Sequence, residues 1–312
     1  MKKRSGRLTY PMAPRQQHNW DWRAATNFIL GGAGGGLLLC TPLAGFEALT
    51  TRIAILLGLA LVGTGLTSVW FEIGRPWRAL NVFLHFSRSW MTREAVAGLL
   101  LFISGALALV TLQPALVVLS GLIGLSFLSC QARMLAVNKG IPTWRHPASI
   151  PLMTATGLAE GAGLLVCVLA FSSLATESLV LGVLIALLAA RALFWRRYLA
   201  GLIADGAPDD ALNVLRGFGP RFLLLGHLLP ILAAVAALTG IPGGPALMLV
   251  AGIMATAGGW QLKFTLMLRA AFTQGLALPR LPVRGQGTGG PAVKPGWHAA
   301  PRPIAGQQEI AG

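Results

Sequence analysis

Eight apolar runs separated by shorter polar segments set the pattern of the chain, at roughly 26–48, 52–72, 94–113, 115–136, 150–173, 178–198, 220–240 and 245–268, each close to the about 20 residues that a helix needs to cross a bilayer. A backbone in lipid must satisfy its own hydrogen bonds, so each run is predicted to be a transmembrane helix. The expected fold class is all-α integral membrane, an eight-transmembrane-helix bundle. The same pattern divides the chain into a basic interfacial N-terminal tail (1–25), the eight-helix domain (26–270) and a C-terminal tail (271–312). From about Ala271 the chain turns to Pro, Gly and polar residues and loses its periodicity, which reads as a disordered basic segment.

The connections after the odd-numbered runs are short, so the helices are expected to form four hairpins. Positive charge gathers elsewhere. The N-terminal tail carries Lys2, Lys3, Arg4, Arg7, Arg15 and Arg23; the second loop has Arg75, Arg78, Arg88 and Arg93; the fourth has Lys139 and Arg145; the sixth has Arg196, Arg197, Arg216 and Arg221. The odd loops hold little beyond Arg52. By the positive-inside rule both termini and the even loops face the cytoplasm. An acidic partner docking on that face would select the same arginines.

A shared pattern, Ala-Leu-Asn-Val with Phe at the eighth place, begins at Ala79 in the second loop and at Ala211 in the sixth. A duplication would place those loops in register and split the bundle into two four-helix halves of the same orientation. Glycines mark where helices touch: Gly31, Gly32, Gly35 and Gly36 in the first run, and Gly157 with Gly161 in the fifth, are spaced for close backbone approach in lipid.

Composition agrees with the pattern and narrows it. The 312 residues are 54% hydrophobic and only 11% charged, against about 25% charged in a soluble domain, so a water-soluble fold is excluded. The net charge of +15 lies in loops and tails rather than on a water-facing domain, which argues against nucleic acid as a partner. Cys40, Cys130 and Cys167 stand singly in apolar runs, a spacing that suits neither an iron–sulfur cluster, nor a zinc site, nor a disulfide framework. The polar stretch that separates Met1-Lys-Lys-Arg4 from the first apolar run gives no reason to expect a cleavable signal peptide.

Charge inside the apolar runs is the candidate chemistry, because an ionisable group in lipid costs several kcal/mol unless paired or wetted. Glu160 is the most central, with Thr156, Gly157 and Gly163 as neighbours; it reads equally as a proton relay or as a structural carboxylate bonded to another helix. Glu72 and Glu94 bracket the loop 67–94, where Trp70, Trp77 and Trp90 stand among the four arginines. Carboxylates in such places can exchange protons near neutrality, or simply pair with Arg75, Arg78 or Arg93. Arg133, Arg191 and Lys263 are expected near helix ends, with their charges snorkelling to the interface. His227 stands within the seventh run before Pro230, a potential kink, while His18, His85, His146 and His298 fall in loops or tails, so a bis-histidine haem is not expected. Trp20-Asp-Trp-Arg23 reads as an interfacial belt, with Asn27 one turn inside the membrane.

These residues resemble the NrfD-like family, the eight-helix membrane anchor subunits of polysulfide reductase and dimethyl sulfoxide (DMSO) reductase. The likeness rests on the glycine-rich start of the first run, Phe28 to Gly36; on Glu72-Ile-Gly-Arg-Pro-Trp-Arg-Ala79 running on to Ser89-Trp-Met-Thr-Arg-Glu94; and on Ile141-Pro-Thr-Trp144. The Trp-Asp-Trp-Arg segment is also similar to anchors of phenylacetyl-CoA:acceptor oxidoreductases. The resemblance implies a non-catalytic anchor in a bacterial inner membrane. Such a subunit binds menaquinone or ubiquinone and trades electrons with a four-cluster iron–sulfur subunit and a molybdopterin catalytic subunit, and has no haem, cluster or metal of its own. Glu94 matches the family's quinol-site carboxylate, and Glu72 stands where relatives often have histidine. Arg75, Arg93, Asn27 and Glu160 complete the expected quinone and proton site, and Arg78, Arg88, Trp144 and Arg145 the expected docking surface. The rival reading is a proton-coupled secondary transporter built on Glu160, with Pro42 and Pro230 interrupting its helices.

Overall fold

The computed structural model describes residues 13–72, 82, 89–172, 176–240 and 242–275. Eight helices long and apolar enough to cross a membrane make up the fold: span 1 (Trp22–Ala44), span 2 (Ala48–Trp70), span 3 (Trp90–Thr111), span 4 (Pro114–Ala136), span 5 (Ser149–Leu169), span 6 (Glu177–Ala204), span 7 (Asp209–Leu238) and span 8 (Gly244–Arg269). No strand occurs among the described residues; one isolated bridge joins Gln16 to Phe272. The chain is a multi-pass membrane protein of the expected class.

Helix ends depart from the apolar pattern where a cap or a charge extends a helix beyond its greasy stretch. Span 3 begins at Trp90 rather than at 94 because Ser89 Oγ accepts the Thr92 N–H (3.3 Å), a capping interaction. Glu94 therefore lies one turn inside the helix rather than at its tip. Span 7 starts at Asp209, with Asp209 and Asp210 in the first turn where the helix dipole favours negative charge. Span 6 continues to Ala204, which moves Arg191 to the helix middle.

The halves repeat one packing scheme. In spans 1–4, span 1 packs on spans 2 and 4, and span 3 on span 4; in spans 5–8, span 5 packs on spans 6 and 8, and span 7 on span 8. Spans 1 and 5 meet in the middle, and 72% of their most apolar windows are buried, against 33–44% for the other six spans. Their contact is made of glycine: a side chain on Gly36 would strike the Gly157 carbonyl of span 5, and one on Gly161 the Gly36 backbone of span 1. Of the two repeat motifs, the one at Ala211 opens span 7, and the one at Ala79 lies outside the described residues.

Three π-helical turns interrupt spans 1, 7 and 8, at Asn27–Gly31, Leu224–Leu228 and Thr265–Arg269. At each, side chains from elsewhere take a carbonyl in the loosened ladder. Gln131 Nε2 donates to Asn27 O (3.0 Å), and Trp144 Nε1 donates to Leu266 O (2.8 Å). Pro230 has no N–H to offer Gly226 O four residues back, and Arg191 Nη2 donates to that carbonyl at 2.5 Å.

Candidate functional site

Two buried carboxylates, in different surroundings, organise the polar interior. Glu94 is 4% exposed, and its Oε1 accepts from Asn27 Nδ2 on span 1 (3.0 Å) and from Gln131 Nε2 on span 4 (3.1 Å). Both carboxamides turn their N–H ends to the carboxylate, so Oε1 acts as an acceptor and both described donors are neutral. Their carbonyl ends, Asn27 Oδ1 and Gln131 Oε1, are buried with no hydrogen-bond partner.

Glu160 on span 5 is held by charge. Lys263 Nζ on span 8 lies 2.5 Å from Glu160 Oε2, and both side chains are fully buried. Glu160 Oε1 has no hydrogen-bond partner. Arg191 on span 6, also fully buried, donates from Nε to His227 Nε2 (3.1 Å) and from Nη1 to Ala255 O (3.0 Å), beside its bond to Gly226 O. His227 accepts at Nε2, so its ring proton sits on Nδ1 and faces Phe222 O at 3.0 Å. Arg191 and Lys263 thus do not snorkel, as their expected place near helix ends implied. The helices extend past them, and each finds buried partners on neighbouring spans.

The two clusters meet at Gly32 of span 1. A side chain there would collide with Lys263 Nζ and come within 3.4 Å of Gln131 Oε1. Gly259 likewise leaves the space that Glu160 Oε1 occupies.

The remaining predicted residues fall into separate places. Glu72 sits just past span 2, half-buried, near Asp21 and Arg23 rather than in the Glu94 cluster; desolvation, then the Asp21 carboxylate, raises its pKa above the usual carboxylate range, against the opposing pull of Arg23. Arg93 lies over the Trp90 ring (4.2 Å to the centroid), which Arg133 also approaches (5.0 Å). Arg75, Arg78 and Arg88 lie outside the described residues. Trp144 is 1% exposed, stacked on Trp20 (4.9 Å) and bonded to Leu266 O, so it offers no surface to a partner; the short helix Pro142–Arg145 turns its indole into the core. Arg145 stays exposed, with Nη1 donating to Lys139 O. On the same side a cavity of about 440 Å³ opens between the N-terminal tail and the loop before span 5, lined by His18, Trp20, Asn138 and Trp144 among others. No group of His, Cys, Asp and Glu among the described residues could hold a metal ion.

Pattern reading passed over Gln131, took Lys263 and Arg191 for helix-end residues and gave His227 no site role. Gln131 carries a signal in hindsight: it is the one carboxamide inside the fourth run, two residues before Arg133, and reads as a fraying end.

Residues 37–251 match the family model of the DMSO reductase anchor subunit, DmsC. The chain belongs to that family. The match covers Glu72, Glu94, Gln131, Glu160, Arg191 and His227 of this anchor subunit, whereas Asn27, Gly32 and Lys263 lie outside it. It supports assembly with the catalytic and iron–sulfur subunits of a DMSO reductase-type complex, and favours the anchor over the transporter reading. No curated protein matches the chain.

Proposed function

We propose that this anchor subunit binds menaquinol or ubiquinol and passes its electrons to the nearest cluster of a four-cluster iron–sulfur partner, which feeds a molybdopterin catalytic subunit. The supporting observation is Glu94: a buried carboxylate whose described hydrogen bonds come only from neutral carboxamides. A bound quinol supplies two electrons and two O–H protons. The residues fit such a donor, because Glu94 can accept a proton without breaking a described ion pair, and Asn27 Oδ1 is a buried acceptor with no partner. Asn27 and Gln131 orient the carboxylate; Glu72, Arg75 and Arg93 belong to the same end of the bundle by sequence. The wider NrfD and polysulfide reductase kinship, the bacterial inner membrane, cytoplasmic termini and the 1–25 and 271–312 tails belong to the same proposal. So does docking through Arg78, Arg88 and Arg145, whose charge would set register with an acidic partner.

Glu94→Gln in the assembled complex tests the reading. Quinol-coupled turnover is expected to fall about 100-fold, the scale of a lost proton acceptor, while the three subunits still co-purify. Unchanged turnover with quinol would remove Glu94 from the site.

A further inference from the structure

The bundle interior holds more hydrogen-bonding capacity than its described bonds use. Three buried acceptors, Asn27 Oδ1, Gln131 Oε1 and Glu160 Oε1, have no hydrogen-bond partner among the described residues. Lys263 Nζ has three N–H bonds and gives one to Glu160 Oε2 among the described residues. Two of these atoms meet at one place, while Asn27 Oδ1 lies against Gly31 and Gly65 and Glu160 Oε1 against Gly259. Gln131 joins Glu94 through its amide nitrogen, and its oxygen faces the same bare backbone of Gly32 as the Lys263 ammonium. Buried polar groups in proteins are nearly always bonded, directly or through ordered water, so the unspent Gln131 oxygen and the unspent Lys263 N–H bonds that meet at Gly32 call for a connection.

We infer that Gln131, Lys263 and Glu160 form an internal proton relay that leads from Glu94 across span 1 at Gly32 and ends on the Glu160 carboxylate. The inference rests on the reading of Glu94 as the quinol-side acceptor. Water held by the carbonyl end of Gln131 takes the Glu94 proton and passes it to Lys263 Nζ as the ammonium releases one of its own N–H protons to Glu160. One O–H bond breaks at Glu94 and one forms at Glu160; Lys263 keeps its charge throughout. The Gln131 carboxamide orders the path and carries no proton itself. Arg191 is the fixed charge of the group, since its guanidinium is tied to Gly226 O, Ala255 O and His227. Span 2 brings no titratable side chain to the path between Arg52 and Glu72.

Time-resolved infrared spectroscopy of the whole complex after mixing with quinol reads the carboxyl bands directly, each assigned by its loss in Glu94→Gln or Glu160→Gln. In the unaltered complex the Glu94 band is expected to rise first and the Glu160 band after it. Gln131→Leu leaves the Glu160–Lys263 pair in place, and is expected to keep the Glu94 band while slowing the Glu160 band at least about tenfold, equivalent to one hydrogen bond lost from the path. Gly32→Ala, which displaces only the end of the Lys263 side chain, is expected to act in the same direction. A Glu160 band that never rises, or that rises at its usual rate in Gln131→Leu or Glu94→Gln, overturns the relay. Absence of the Glu94 band from the unaltered complex overturns the quinol-site reading instead.

Discussion

Glu94 and Glu160 are the same side chain at nearly the same depth of burial, and the protein treats them in opposite ways. Around Glu94 it places two carboxamides, which orient a carboxylate without fixing its charge. Around Glu160 it places the Lys263 ammonium, 2.5 Å from Oε2, which ties span 5 to span 8 by opposite charge. A neutral cage suits a group that must gain and lose a proton each turnover. A charged cage suits one that fixes helices and takes a proton only through the ammonium that holds it. Burial alone therefore does not set what an acid does; the charge of its neighbours separates a carboxylate that meets the proton first from one reached through a lysine.

The sharpest way to break this contrast is to remove one member of the charged cage. Glu160→Gln or Lys263→Met each strands a buried charge and is expected to cost about 3–5 kcal/mol of stability, read as a lower unfolding midpoint in detergent, whereas the double variant should recover much of the loss. Equal losses in single and double variants would show that the pair is not coupled. The neutral cage predicts a smaller, functional effect. Gln131→Leu removes two hydrogen bonds, those from Nε2 to Glu94 Oε1 and to Asn27 O, and should lower quinol-coupled turnover roughly tenfold with a smaller change in stability than at Glu160. A stability loss as large as that of the charged pair would erase the distinction.

The smallest effect is expected at Glu72, which lies outside both cages. Its pKa is raised, first by desolvation and then by Asp21, so the folded chain holds this proton more tightly than the unfolded chain does. Ionising it therefore costs stability as pH rises from the ordinary carboxylate range through the folded pKa. Glu72→Gln should raise the unfolding midpoint slightly in neutral buffer and leave it unchanged in acid. A gain that persists in acid would point to packing rather than charge.

The spans were legible in the sequence because hydrophobic length alone decides whether a helix can cross a bilayer. Their ends were not, since Ser89 and the Asp209–Asp210 turn extend helices beyond the apolar pattern. That slippage hid the site. Lys263 and Arg191 read as end residues, and the Glu160–Lys263 pair joins positions 103 apart in the chain, a separation that no periodicity encodes. Glu94 was found from the loop motif and Asn27 was expected beside it, but Gln131 of span 4, which drew no reading, supplies the second bond. Trp144 shows the reverse error: an indole beside an arginine looked like a surface anchor, and its N–H is spent inside on the loosened end of span 8.

The clasp between the two ends of the bundle bears on how the chain matures. Gln17 N–H donates to Ala271 O, Arg15 N–H to Thr273 Oγ1, and the Gln16 and Gln17 side chains to the last carbonyls of span 8. The segment ahead of span 1 can thus be fastened only by one behind span 8, which leaves the ribosome later. Span 1, with Asn27 at its mouth, must wait in the membrane through seven further insertions before its tail is tied down. A chain truncated before span 8 would keep most of its helices and lose both Lys263 and the clasp, so the finished site also certifies that translation reached the end of the bundle.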